Sequence, residues 1–91
     1  MGKKERIKRG ITDALALPKE IVLNLPMVHM VGNEEVHVEN YKGVLEYTPE
    51  KVRINTTKGV LKIEGRKLLL REITSEDVAV MGSILKIEYV V

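Results

Sequence analysis

VHVENYKGVLEY over residues 36–47 and VRINTTKGVLKI over residues 52–63 decide how this chain folds. Set against each other at an offset of 16, they share Val36/Val52, Lys42/Lys58, Gly43/Gly59, Val44/Val60 and Leu45/Leu61. Val36, Val44, Val52, Val60 and Leu68 also form a ladder with a period of 8. Apolar residues alternate with polar ones inside each unit, which is the pattern of a strand with one face buried. Lys42-Gly43 and Lys58-Gly59 read as turns in which glycine takes positive φ. Thr48-Pro49-Glu50-Lys51 has proline at the second position, as a type I turn favours. Glu64-Gly65 reads as a further tight turn.

Outward from this centre the strand signals continue. Ile21, Leu23 and Leu25 alternate with Val22 and Asn24 in a first strand that Pro26 interrupts, so that strand lies at an edge or ends there; Met27-Val28-His29-Met30-Val31 follows. Gly32-Asn33 marks a turn. Residues 68–73 (LLLREI) form another strand, with Thr74 a cap for the turn over Thr74-Ser75-Glu76-Asp77. Val78 and Val80 alternate, Gly82 reads as a bulge, and Ile84, Leu85, Ile87, Tyr89 and Val91 complete the last strand. The expectation is a mainly β fold of about seven to nine short strands. Two architectures satisfy a period of 8: a small β-roll or solenoid with about 16 residues per coil, and an antiparallel β-sandwich or meander. The repeat tilts the reading towards the roll. One face is assigned Val36, Val38, Val52, Ile54, Leu68 and Leu70, with Glu39, Arg53 and Lys62 pointing outwards.

The start of the chain differs. Residues 1–10 carry Lys3, Lys4, Arg6, Lys8 and Arg9 against Glu5 alone, whereas the other 81 residues hold ten basic and twelve acidic side chains. Ile7, Ile11, Ala14 and Leu15 recur at helical spacing, so residues 4–16 read as a short amphipathic helix that Pro18 ends. The chain therefore divides into a basic arm with a helix over 1–17 and one β-rich domain over 18–91. Lys3, Lys4, Arg6, Ile7, Lys8, Arg9, Ile11 and Leu15 are the candidate contacts for an anionic membrane surface or a protein partner.

Chemistry is sparse. With 91 residues, 30 of them Val, Ile or Leu, the chain is long enough for one folded core. It contains no cysteine, which removes thiol nucleophiles, thiolate metal sites and disulfides. No glycine cluster resembles a phosphate or dinucleotide cradle. His29 and His37, with Glu34 and Glu35 between them, allow a two-histidine-plus-carboxylate metal site on paper; two strand histidines with polar tips is the simpler reading. Three tyrosines are the whole aromatic complement, too few for a stacking platform, so nucleic acid is not the expected partner. A regulator that binds nucleic acid through the basic arm is the alternative function. The expectation is a non-enzymatic chain with no cofactor and a cytoplasmic location.

Leu15-Ala16-Leu17-Pro18 leading to Leu25-Pro26, then Glu39-Asn40-Tyr41-Lys42-Gly43-Val44-Leu45, and then the stretch from Ile73-Thr74-Ser75-Glu76-Asp77 to Tyr89, resemble the YabP/YqfC family of sporulation proteins, closest to its YqfC branch. The resemblance implies a non-enzymatic protein of the mother cell. It would act in late spore development, around cortex and coat formation, at the forespore outer membrane surface. It also implies a membrane protein partner of the YqfD kind and leaves room for self-association. It transfers no catalytic residue; Gly43, Gly59, Gly65 and Gly82 are the matching positions, expected to serve the backbone.

Overall fold

The computed structural model describes residues 24–91. Six strands follow in order: β1 (Met27–Val31), β2 (Glu35–Glu39), β3 (Gly43–Thr48), β4 (Lys51–Thr56), β5 (Gly59–Arg71) and β6 (Asp77–Val90). They make one antiparallel sheet in the order β1-β2-β6-β5-β4-β3. The expected helix over 4–16 and the contacts assigned to Lys3, Lys4, Arg6, Ile7, Lys8, Arg9, Ile11 and Leu15 lie outside the described residues.

The strand count is lower than expected because residues 59–71 and 77–90 run on as strands of 13 and 14 residues. Each is bent rather than broken. The β5–β6 register shifts between Glu64 and Gly65 and again between Arg66 and Leu69. Glu64-Gly65 therefore runs on within β5 and is not a turn: the extra residue at this shift is Leu85 of β6, and β5 carries its own extra residue at Lys67-Leu68, where Lys67 has φ 54°. Gly65 lies so close to the Ser83 carbonyl that a side chain there would collide with it. Gly82 is the matching bend in β6, with φ +142°, and there the sequence reading agrees with the structure.

These bends fold the sheet over. Val36, Val38, Val52, Ile54, Leu61, Ile63, Leu68, Val78, Val80 and Ile84 form one buried cluster. Val36 and Val52 are both 0% exposed, although β6 and β5 separate their strands. No second sheet covers them among the described residues, so the two halves of the sheet cover each other. The link from Glu39 to Gly43 requires the same geometry. It spans at most about 14 Å fully extended, whereas β2 and β3 in a flat sheet would stand about 19 Å apart. Half A comprises β1, β2, the start of β6 and the end of β5. Half B comprises β3, β4, the start of β5 and the end of β6. Thr57 Oγ1 donates to the Asn24 carbonyl at 2.8 Å and ties the β4–β5 turn to the approach to β1.

This arrangement corrects the β-roll. Coils of a solenoid stack equivalent segments as neighbours, but the equivalent strands β2 and β4 do not pair. The two copies of the repeat fold differently for a local reason. In the second copy, Thr56 Oγ1 donates to the Gly59 carbonyl at 2.7 Å and accepts from the Lys58 amide at 3.0 Å. That closes a tight turn, and β4 pairs with β5. In the first copy the same position is Asn40, in the left-handed region at φ 66°. Its amide donates to Glu76 O at 2.8 Å and its side-chain Nδ2 to Leu25 O at 2.8 Å. The chain then crosses between halves instead of turning back. Gly43 does not have positive φ, contrary to the sequence reading; Asn40 makes the turn in its place. Gly59 does, at φ 120°, with Val90 O against the place a Cβ would occupy.

The other local readings agree with the structure. Thr48 Oγ1 accepts from the amides of Glu50 and Lys51, closing the Pro49 turn. Thr74 Oγ1 accepts from the amides of Glu76 and Asp77. Val36, Val38, Val52, Ile54 and Leu68 are buried, and Leu70 packs half-buried against them.

Candidate interaction surface

Folding the sheet on itself leaves two outer faces, and they differ sharply. On half B the cross-strand rows are Glu46–Arg53–Lys62–Glu88 and Thr48–Lys51–Glu64–Lys86. Each of these charges has an opposite charge beside it, although Arg53 and Lys62 are themselves neighbours, and a third row on this face, Gly43–Asn55–Val60–Val90, is uncharged. Lys62 Nζ lies 3.1 Å from Glu88 and 3.6 Å from Glu64; Arg53 lies 3.5 Å from Glu46 and Lys86 3.7 Å from Glu88. The hydrogen bond from Lys62 holds the Glu88 carboxyl below its ordinary value and, reciprocally, raises the Lys62 ammonium. This face is charge-balanced and solvated. Arg53 and Lys62 point outwards, as read from the sequence.

The outer face of half A carries the rows Met27–Glu39–Asp77, His29–His37–Ala79–Arg71 and Val31–Glu35–Met81–Leu69. Exposed apolar side chains gather here: Met27, Val31 and Leu69 are each 44–51% exposed. The His29 and His37 rings stack with centroids 4.8 Å apart and planes inclined by 10°. His37 Nε2 is 2.8 Å from Glu35 Oε1. A metal ion sits about 2.0–2.1 Å from a ring nitrogen, close to the ring plane. Two nearly parallel stacked planes do not meet at such a point, so this arrangement aims the rings side by side and not at one ligand. The pair reads as two strand histidines. Glu39, Glu72 and Asp77 rim the shallow depression beside them. Among the described residues no group of three or more His, Cys, Asp or Glu is gathered to hold a metal ion.

Among the described residues both ends of the sheet are open, β1 at one and β3 at the other. They are not equally guarded. Edges are commonly blunted by charge and by bulges. β3 has both: its register to β4 shifts between Val44 and Glu46, and Glu46 is ion-paired to Arg53. β1 has neither, since MVHMV contains no Lys, Arg, Asp or Glu and pairs with β2 without a register shift. The sequence reading missed this surface. The parity of Val31, Met81 and Leu69 was visible in the strands, but which strands lie side by side was not. Among the described residues no helix is long and apolar enough to cross a membrane.

The fold and its surfaces define a small, single-sheet antiparallel β domain with one face of paired charges and one face of mixed character that carries Met27, Val31 and Leu69. The model of the YabP family matches residues 24–91, the whole of this domain, and the chain belongs to that family. A curated relative, the "Uncharacterized protein YqfC" of Bacillus subtilis (strain 168), is 31% identical over 88 residues, covering 97% of this chain and 95% of the relative.

Proposed function

We propose that this chain is a non-catalytic assembly module of the sporulating mother cell, an adaptor at the forespore envelope working with a membrane protein partner. Membership of the YabP family, which the sequence reading associates with sporulation, supports the biological setting. The observation that carries the adaptor role is the contrast between the two outer faces. Half B neutralises its own charges across four strands, while half A sets Val31, half-buried Met81 and Leu69 in one row around Glu35, with Val31 51% and Leu69 49% exposed among the described residues. Exposed apolar rows of this kind mark contact surfaces.

The test is capture of the full chain by a tagged membrane partner of the YqfD kind in detergent. Leu69→Glu, at an exposed site, should leave the melting temperature within a few degrees and abolish capture. Arg53→Glu on the opposite face should leave capture intact. Equal capture of wild type and Leu69→Glu would remove the assignment of half A as the contact face.

A further inference from the structure

We infer that β1 is the site at which a second copy of this chain adds, strand to strand, across a twofold axis at His29. The inference deepens the assembly reading by naming one partner and its place. It starts from backbone polarity. In an antiparallel ladder successive residues turn their N–H and C=O alternately towards one neighbour and the other. Val31 O accepts from the Glu34 amide at 3.1 Å, so Val31 turns towards the β2 hairpin. By alternation Val28 and Met30 turn their amides and carbonyls to the open edge. Pro26 shares that parity, and a proline, which has no N–H to donate, is tolerated where strand N–H groups face outwards.

The sequence of the strand then selects the occupant. Antiparallel pairing about His29 sets Met27 against Val31, Val28 against Met30, and His29 against His29 of the second copy. Every pair joins residues of the same face, and every pair but the central one is apolar on both sides. The Val28 and Met30 groups would exchange four hydrogen bonds, and His29 would be a non-hydrogen-bonded pair. The open edge offers no charge to recognise an acidic or basic strand. It calls for an uncharged strand with apolar residues on both faces, which is its own description. β3, with its bulge and Glu46, does not meet that requirement. A five-residue edge makes a small interface, at the weak end of protein contacts. Association is therefore concentration-dependent, and the row ending in Val31 of one copy continues into Met27 of the other.

The test uses the full chain, whose lack of cysteine makes engineered thiols unique. Light scattering should show the mass rising from 10.3 kDa towards twice that value with concentration. His29→Lys places like charges opposite each other at the axis and should hold the chain at monomer mass. Leu45→Lys on β3 should not. Non-hydrogen-bonded pairs have Cα atoms about 4.5 Å apart, within the range a disulfide spans. Under copper-phenanthroline and air, which take up the two electrons and two protons, His29→Cys should form a covalent dimer within minutes. Met27→Cys mixed with Val31→Cys should give the hetero-linked dimer more than tenfold faster than Leu45→Cys links to itself. Monomer mass at every concentration overturns the inference. So does cross-linking of Leu45→Cys at the rate of His29→Cys, or dissociation by Leu45→Lys alone. Capture of the membrane partner by His29→Lys separates this outcome from the adaptor reading, because Leu69 is untouched in that variant.

Discussion

His29 on β1 and His37 on β2 stack their imidazoles at 4.8 Å, directly opposite each other in the ladder, and Glu35 Oε1 accepts a hydrogen bond from His37 Nε2 at 2.8 Å. The stack fastens the outermost strand of half A to the sheet with side chains as well as backbone. A cross-strand pair of this kind contributes about 0.2–1 kcal/mol. His29→Ala should lower the unfolding free energy by an amount in that range, and His37→Ala by more, because it also loses the Glu35 contact. Urea titration of both variants checks the order. A larger loss at His29 would contradict the described geometry.

Val52 tests the folding-over of the sheet. It is 0% exposed, faces Ile63 across β4–β5, and shares a cluster with Val36 from the opposite half. An unpaired carboxylate there costs several kcal/mol, comparable with the whole stability of a domain this small. Val52→Asp should show no cooperative melting transition by circular dichroism. An unchanged melting temperature would mean that the two halves do not cover each other.

Gly65 and Gly43 make a matched pair. Both were read from the sequence as turn glycines. A Cβ at Gly65 collides with the Ser83 backbone, whereas at Gly43 it meets nothing within 4 Å and φ is not positive. Gly65→Ala must push β5 away from β6 and should destabilise by more than about 1 kcal/mol, as backbone-incompatible substitutions do. Gly43→Ala should be neutral or stabilising by up to about 1 kcal/mol, through the loss of unfolded-state freedom. Thermal melts of the two variants should move in opposite directions or differ by several degrees.

The Lys62–Glu88 pair sets a pH dependence whose sign follows from its two shifts. Glu88 is held below the ordinary glutamate value of 4.5 in the folded chain, so its contribution is present above that value and is lost as the pH falls through the depressed one. Lys62 is held above the ordinary lysine value of 10.5, so its contribution is present below that value and is lost as the pH rises through the raised one. Both side chains are partly in water, at 26% and 36% exposure, and the effect is accordingly small. Glu88→Gln should melt slightly below wild type at pH 7 and coincide with it in strong acid. A constant difference at both pH values would assign the effect to packing instead.

Much of the local structure was legible in the residues themselves. Alternation placed Val36, Val38, Val52, Ile54 and Leu68 on one buried face. Pro49, Thr74 and Gly82 marked two turns and a bend, because proline, side-chain hydroxyls and glycine act on the backbone within a few residues of themselves. The candidate interaction surface was not legible. Val31, Met81 and Leu69 are far apart in sequence and become one row only when β1, β2, β6 and β5 are laid side by side.

What the sequence determined alone is therefore what short-range forces determine: the β class, the strand parity, the turns at Pro49 and Thr74 and the uncharged character of MVHMV. The tertiary structure decided the rest. A period of 8 fits stacked coils and antiparallel strands equally well, because the period records strand length and not pairing. Asn40 and Thr56 occupy the same place in the repeat, yet one crosses between halves and the other closes a hairpin. The difference lies in partners that the local sequence does not contain: the Glu76 and Leu25 carbonyls for Asn40, and the Gly59 carbonyl for Thr56. Gly65 shows the same limit, since its need for glycine comes from Ser83 on the neighbouring strand. Long-range pairing brings these atoms together, and only then does the chain acquire two unlike faces and one unguarded edge.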